Sequence, residues 1–199
     1  MSESVKDYAG AKLGMWIFLF TEIVLFGGLF LLYASYLHRY QGDFHQAAKA
    51  LDTFLGGLNT VILLTSSLCM ALSITALQRG RQGACLVYLA LTVALALGFL
   101  VNKFFEWSAK FEHGIIPGSA HVHELPRGQE VFFGLYFAMT GLHGIHVILG
   151  AGLLATVMFM VRRGRVNAGD FVILENSGLY WHVVDLIWIF LFPLFYLIT

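Results

Sequence analysis

The sequence has few charged side chains. Asp, Glu, Lys and Arg make up 12% of its 199 residues, against the roughly 25% that is typical of a soluble domain. Hydrophobic residues account for 58%, and the mean hydropathy is +0.76. Too little charge is present to cover a water-facing surface, so the composition predicts a membrane protein.

An excess of positive charge is also missing, and cysteine is scarce. The 12 basic residues are balanced by 12 acidic ones, which excludes the basic surface of a nucleic-acid-binding protein. Cys69 and Cys85 lie in apolar stretches without metal-ligand spacing, so they predict neither a disulfide framework nor a zinc site. The common motifs of soluble enzymes, such as the P-loop, H-E-x-x-H and G-x-S-x-G, are absent.

The sequence does contain five long apolar runs. About 20 apolar residues cross a bilayer core of about 30 Å as a helix, and the runs lie at 13–37, 54–77, 84–107, 131–161 and 178–198. They are continuous, whereas the strands of a membrane barrel alternate over about ten residues. We therefore expect an all-α polytopic protein whose residues 1–199 form a single membrane domain with five spanning helices.

Basic residues near the ends of the runs predict the orientation of the chain, because Lys and Arg tend to stay on the cytoplasmic side. With the N-terminus inside, the inner segments carry seven basic residues and the outer segments four. The inner ones are Lys6, Lys12, Arg79, Arg81, Arg162, Arg163 and Arg165. This bias favours an N-in and C-out topology.

The first run contains one acidic residue, Glu22. It lies nine residues into the run, at a depth of about 14 Å for a rise of 1.5 Å per residue. An ionisable group costs at least about 2.5 kcal/mol there, so it needs a partner or a purpose. Two interpretations remain open: a carboxyl group that handles protons or reacts, and a protonated acid that is hydrogen-bonded to a neighbouring helix.

The fourth run places His143 and His146 three residues apart, which predicts that both project from one helix face. One interpretation is a hydrogen-bonded cluster between helices, and the other is ligation of haem or a metal. Four glycines in the same run predict a close approach of another helix, as small residues allow in membranes. They are Gly141, Gly144, Gly150 and Gly152.

Other polar residues within the runs also come in pairs. His182 and Asp185 are three apart in the fifth run, which favours a structural clamp over a proton relay. Lys103 and Glu106 have the same spacing near the outer end of the third run, where we expect a self-neutralising pair and a lysine able to reach the interface. In the second run, the amide of Asn59 and the hydroxyl groups of Thr65, Ser66 and Ser67 predict hydrogen bonds across helices.

Several of these segments resemble subunit III of the haem-copper respiratory oxidases. The matching segments are LGMWIFLFTEIVLFGGLF at 13–30, LNTVILLTSS at 58–67, the K-x-x-E-W pattern at 103–107, TGLHGIHVILG at 140–150 and YWHVVDLIWIFLF at 180–192. The last two are similar to the most distinctive signatures of the family. The resemblance covers nearly the whole chain.

The resemblance implies a subunit without a redox centre, since the family's haem and copper are held by partner subunits I and II. His143, His146 and His182 are then structural, and Glu22 corresponds to the family carboxyl group that reacts with carbodiimides. The chain resembles the shorter, five-helix bacterial form, located in the cytoplasmic membrane. The helices are expected in two groups around a cleft that binds phospholipid, and the charge of Arg162, Arg163 and Arg165 suggests contacts with anionic head groups.

The implied function is that of an accessory subunit of a proton-pumping cytochrome c oxidase, which stabilises subunit I and supports proton uptake. The alternatives within the family are subunit III of a quinol oxidase and the related membrane protein associated with nitric oxide reductase. Two alternatives lie outside the family. One is a membrane cytochrome that ligates haem through His143 or His146 together with His182, and the other is a small transporter with Glu22 as its coupling group.

Overall fold

The structure is a computed structural model that describes residues 7–112, 114–115, 119, 122 and 124–198. The described part of the chain forms α1 (Tyr8–Arg39), α2 (Gln41–Ala48), α3 (Thr53–Gln78), α4 (Gln82–Glu112), α5 (Arg127–Arg162) and α6 (Val172–Tyr196). All of these except α2 are long and apolar enough to cross a membrane. The predicted all-α fold with five candidate spanning helices is confirmed. Lys6, which contributed to the predicted orientation, lies outside the described residues.

The helices extend beyond most ends of the apolar runs that predicted them. α5 has 36 residues, which corresponds to about 54 Å at 1.5 Å per residue. A bilayer core measures only about 30 Å. This helix therefore has to tilt or to project from the lipid.

The short helix α2 was not predicted, because it lies between the apolar runs at 13–37 and 54–77, where the sequence is polar. Its eight residues contain no apolar run, but Phe44 is completely buried. The Phe44 ring packs edge-on against Tyr33 of α1 and Phe132 of α5, with centroids 5.4 and 5.3 Å apart. Contacts with distant segments stabilise this helix, so local sequence could not indicate it.

Local capping groups define several helix ends. Asp52 accepts hydrogen bonds from the backbone N–H groups of Phe54 and Leu55 and so caps α3. Gly80 has a φ of +71°, and the N–H groups of Gly80 and Arg81 bond to carbonyls of the last turn of α3. Gly164 ends α5 with the same φ and the same pattern. Glycine adopts this left-handed conformation without a steric penalty.

Four helices form a closed ring of neighbours. α3 packs against α4, α4 against α5, α5 against α6, and α6 against α3. In the most apolar stretch of α6, half of the residues are buried within the chain. In the corresponding stretch of α1, only 11% are buried. α6 is therefore the most buried member of the ring, whereas α1 lies on its outside.

α1 contacts α5 and α6 directly and is held by few polar contacts. Lys12 pairs with Glu175 at 2.9 Å, and the Asn176 amide donates to the Ala11 carbonyl at 3.2 Å. Near the other end of α1, the Tyr33 hydroxyl donates to the Leu194 carbonyl. The lipid cleft between two helix groups stays a prediction.

Two of the four glycines expected at close helix contacts do lie at such contacts. A Cβ atom at Gly150 would come within 2.8 Å of the Trp181 ring, and one at Gly141 within 3.1 Å of Trp107. Gly144 and Gly152 face open space instead. The glycines are spread around the helix, so one neighbour cannot contact them all.

Candidate functional site

The Glu106 carboxylate is the centre of a buried polar cluster. Lys103 donates to its Oε2 atom at 3.0 Å, while the hydroxyl groups of Tyr136 and Tyr196 donate to Oε1 at 2.7 and 2.6 Å. Lys110 lies 3.8 Å from Oε1. The cluster joins α4, α5 and α6 and stabilises the carboxylate from three sides.

Lys103 points into the protein rather than toward the interface. It is 8% exposed, and its ammonium nitrogen lies 4.9 to 5.3 Å from the ring centroids of Trp188, Tyr136 and Tyr196. The predicted Lys103–Glu106 pair is present, but the expectation of a lysine reaching the interface is wrong. Aromatic rings attract a desolvated cation, which offsets part of its burial cost.

Sequence reasoning missed three members of this cluster. Lys110 lies beyond the third apolar run, which ends at 107, but α4 continues to Glu112 and buries it. The partners Tyr136 and Tyr196 are 30 and 90 residues away from Glu106 along the chain. No local spacing indicates such distant contacts.

Glu22 of α1 pairs with His146 of α5. The distance from Glu22 Oε2 to His146 Nε2 is 2.8 Å, and the two side chains are 14% and 12% exposed. The other ring nitrogen, Nδ1, lies 2.7 Å from the Leu142 carbonyl oxygen. Of the two interpretations of Glu22, the structure therefore supplies the neighbouring-helix partner that the second one requires.

His143 does not join His146 in one cluster. It is completely buried, and neither ring nitrogen has a hydrogen-bond partner within the described residues. Its ring packs against Phe99 of α4 and Trp188 of α6, at centroid distances of 5.5 and 5.3 Å. Residues three apart on a helix differ by about 60° in direction, so the two histidines face different helices. The two histidines therefore do not form one hydrogen-bonded cluster, although His146 by itself bonds to another helix.

The predicted clamp between His182 and Asp185 is not formed either. His182 Nδ1 lies 2.6 Å from the Ser67 hydroxyl of α3. The Asp185 carboxyl is buried, and neither of its oxygens has a hydrogen-bond partner in the part of the chain that the structure describes. α3 passes close to His182, so a cross-helix contact replaces the contact expected within one helix.

Of the four polar residues of α3 that were expected to bond across helices, Asn59, Ser66 and Ser67 do so. The prediction is wrong for Thr65, whose hydroxyl donates to the Val61 carbonyl of its own helix at 2.7 Å. The Asn102 amide donates to Asn59 Oδ1 at 3.1 Å, which ties α4 to α3. The indole N–H of Trp181 donates to the Ser66 hydroxyl at 2.8 Å, which ties α6 to α3. Each such bond satisfies a polar group inside the bundle.

Arg162, Arg163 and Arg165 are exposed at the end of α5. The Gln82 amide donates to the Val161 carbonyl at 2.5 Å, so the turn between α3 and α4 lies beside them. Arg79 and Arg81 in that turn are exposed as well. Two basic segments that are distant in the sequence thus meet at one end of the bundle.

Two cavities open between the helices. One has a volume of about 500 Å³ and lies between α4 and α5, with Phe104 and Ile145 among its apolar lining residues. The other has about 360 Å³ and lies among α1, α3 and α6, where Lys12, Trp16 and His182 line it. Among the described residues, no three His, Cys, Asp or Glu side chains come together as metal ligands.

Residues 3–199 match the family model described as "Cytochrome c oxidase subunit III". A cytochrome c oxidase subunit 3 from Alkalihalophilus pseudofirmus is 29% identical over 188 residues, which cover 93% of this chain and 85% of the relative. A probable quinol oxidase subunit 3 from Staphylococcus haemolyticus is 30% identical over 189 residues, which cover 94% and 88%.

A third relative joins two subunits in one chain. It is a heme-copper oxidase subunit I+III from Aeropyrum pernix, 30% identical over 195 residues, which cover 92% of this chain and 22% of the longer relative. The matched family carries no redox centre. With its five apolar helices and a family match over nearly its whole length, this multi-pass membrane chain belongs to the cytochrome c oxidase subunit III family and is subunit III of a haem-copper oxidase.

Proposed function

We propose that the chain is the accessory subunit III of a proton-pumping cytochrome c oxidase, which stabilises subunit I and supports its proton uptake. The observation that carries the proposal is the family match over residues 3–199. The relative in which subunits I and III form one chain supports a direct contact with subunit I. Subunit II completes the proposed assembly.

The polar contacts inside the bundle fit a scaffold. Glu106, Glu22 and His182 each have a partner on another helix. A haem ligand needs a free imidazole nitrogen directed at the iron. Both ring nitrogens of His146 face oxygen atoms, and His182 Nδ1 faces Ser67. The nitrogens of His143 have no hydrogen-bond partner within the described residues, but its ring is completely buried between aromatic rings of α4 and α6. The arrangement therefore favours helix association over a membrane cytochrome.

A quinol oxidase is the second candidate, because a probable quinol oxidase subunit 3 is as similar to this chain as the cytochrome c oxidase relatives are. To identify the electron donor, the complex is purified through a tag on this chain and supplied with either reduced cytochrome c or a quinol. We expect oxygen uptake with cytochrome c. Uptake with quinol alone would support the second candidate, and a purified chain without subunit I would contradict both.

Deletion of the chain and the substitution Glu22→Gln are expected to have different effects on the oxidase. Deletion removes the scaffold beside subunit I, so we expect a normal initial rate of oxygen reduction followed by early loss of activity during turnover. Glu22→Gln keeps a hydrogen-bonding side chain at the same place, so we expect a turnover rate and a working lifetime close to those of the wild type. Oxygen consumption followed to inactivation measures both. Immediate loss of turnover in the point mutant would contradict the scaffold role.

We further propose an N-in and C-out topology in a bacterial cytoplasmic membrane. The five arginines at one end of the bundle lie in the α3–α4 turn and at the end of α5. They support a cytoplasmic location of that end, because basic residues concentrate on the cytoplasmic side. Lys12, at the start of α1, belongs to the same side in this topology.

We propose that the chain binds phospholipid and that Arg162, Arg163 and Arg165 contact anionic head groups. Their exposure at a helix end supports this role, and the attraction amounts to about 1 kcal/mol per basic residue near an anionic surface. Replacing all three by Gln is expected to reduce the anionic lipid that co-purifies with the complex, as measured by mass spectrometry. Replacing Arg39 by Gln at the opposite end serves as the control. Equal lipid content in both variants would contradict the proposal.

A further inference from the structure

The helix α1 faces two separate places in the bundle. Glu22 faces α5 through His146, whereas Lys12 and Trp16 line a cavity of about 360 Å³ among α1, α3 and α6. Small-molecule sites in proteins have volumes of about 300 to 1,000 Å³ and are lined by apolar side chains with a few polar groups. The other lining residues are Ile74 of α3 and Glu175, Leu179 and His182 of α6.

The polar groups of this cavity lie at two levels along α6. At the first level, Lys12 and Glu175 form an ion pair at 2.9 Å, and their side chains are 50% and 25% exposed. His182 follows seven residues after Glu175, which places it about 10 Å further along the helix. Leu179 lies between them on the same helix face. The cavity therefore has a polar group at each end and apolar surface between.

His182 has a ring nitrogen that is available to a ligand. Its Nδ1 atom lies 2.6 Å from the Ser67 hydroxyl of α3, and this contact fixes the orientation of the ring. In the part of the chain that the structure describes, the Nε2 atom has no hydrogen-bond partner. A histidine nitrogen donates or accepts a hydrogen bond according to its tautomer. It can therefore bond to either a carbonyl or a hydroxyl oxygen.

The charges of the cavity favour an uncharged ligand. Lys12 and Glu175 compensate each other, so neither a phosphate nor an ammonium group meets an unpaired charge there. A charged group that reached the level of His182 would have to leave water for the interior of the membrane, which is costly. An uncharged ring with oxygen atoms at both ends avoids that cost and still has a hydrogen-bonding group to meet at each level.

The walls of the cavity suit a ring with a hydrocarbon tail. Ile74 and Leu179 supply apolar surface, and Trp16 supplies an aromatic ring. Aromatic side chains contact other rings in stacked or edge-on arrangements. Trp16 is 58% exposed, so the cavity is open at the surface of α1 that faces lipid. A tail can extend from the cavity into the bilayer.

We propose that the cavity among α1, α3 and α6 binds the head group of a quinone, a membrane-soluble ring compound with oxygen atoms at opposite ends. His182 Nε2 bonds to one oxygen, and the Lys12–Glu175 pair bonds to the other. Trp16 and Leu179 contact the ring, and the tail extends into lipid. Binding at this site involves no electron transfer within the chain. The site adds a ligand to the accessory role and does not depend on which electron donor the oxidase uses.

Photolabelling of the purified complex with an azido-substituted quinone tests this site. After illumination, peptide mass spectrometry is expected to locate the label on α1 near Trp16 or on α6 near Leu179. An excess of decylubiquinone should compete with the label, whereas the same excess of phosphatidylethanolamine or phosphatidylglycerol should not. Label confined to partner subunits, or competition by the phospholipids alone, would overturn the proposal.

A substitution that fills the cavity tests its role without removing a polar group. Leu179→Phe places a larger side chain between the two polar levels, so the label per chain is expected to fall several-fold. Leu186→Phe is the matched control, because Leu186 lies on the same helix but is exposed and does not line the cavity. Equal labelling of the two variants would contradict a site in this cavity.

A substitution at His182 tests the hydrogen bond to the ligand. His182→Phe removes Nε2, so the affinity for decylubiquinone is expected to fall about tenfold, the size of one hydrogen bond. The concentration of decylubiquinone that halves the labelling measures the affinity. His38→Phe, at an exposed position of α1 outside the cavity, is the control and should keep the wild-type value. A wild-type affinity in His182→Phe would contradict the assigned contact.

Discussion

The substitution Glu106→Gln is expected to remove the chain from the purified oxidase. Glu106 is 3% exposed, and its carboxylate faces the ammonium groups of Lys103 and Lys110 at 3.0 and 3.8 Å. Glutamine keeps the size and an acceptor oxygen for Tyr136 and Tyr196 but removes the negative charge. Breaking a buried pair in this way costs about 3 to 5 kcal/mol, because the remaining charge stays buried without compensation. The amount of the chain per haem in the purified complex measures the effect.

A second substitution in the same cluster separates charge from packing. Lys103→Met combined with Glu106→Gln removes one charge of each sign and is expected to restore much of the lost subunit, since an apolar side chain of similar length replaces the buried cation. Glu112→Gln is the matched control, because Glu112 lies on the same helix but is exposed. Wild-type amounts of the chain in the Glu106→Gln single variant would show that the cluster is not needed for association.

The substitution Gly150→Leu is expected to lower the temperature at which the complex dissociates. A Cβ atom at Gly150 would lie 2.8 Å from two ring carbons of Trp181, which is completely buried. Overpacking of this kind costs about 1 to 3 kcal/mol even for small insertions. Any shift of Trp181 also strains its 2.8 Å hydrogen bond to Ser66 of α3. Thermal dissociation of the purified complex in detergent measures the loss.

Gly152→Leu provides the matched control for Gly150. Gly152 lies on the same helix, and a Cβ atom there meets nothing within 4 Å. The two variants carry the same change in side chain and in helix propensity, so a difference between them reports packing against α6. An equal loss of stability in both would contradict a close contact at Gly150.

The sequence predicted the spanning helices and several of the polar residues correctly. Continuous apolar runs identify spanning helices because backbone groups in lipid must bond within their own helix. An acidic residue inside such a run stands out because an ionisable group is costly to place in lipid. Glu22, Glu106 and Asp185 were found in this way. Asn59 was found as a cross-helix hydrogen-bonding group, and its bond to Asn102 is present.

The sequence did not predict the partners of these residues. A spacing of three along a helix suggested that His182 contacts Asp185 and that His143 joins His146. Instead, His182 contacts Ser67 and His146 contacts Glu22. The Lys103–Glu106 pair was predicted correctly, but its tyrosine partners were not. A helix has several neighbours, and their positions decide which of its polar side chains meet.

Hydropathy and motifs along the chain were thus sufficient for the membrane class, the five candidate spanning helices and the family. Each of these depends on residues that are close in sequence or on the order of segments. The identity of each hydrogen-bond partner depends on how the helices are arranged around one another. The deep burial of α6, the direction of Lys103 and the contact between Glu22 and His146 all follow from that arrangement. They depend on the balance of many weak contacts between residues distant along the chain, which only the folded packing reveals.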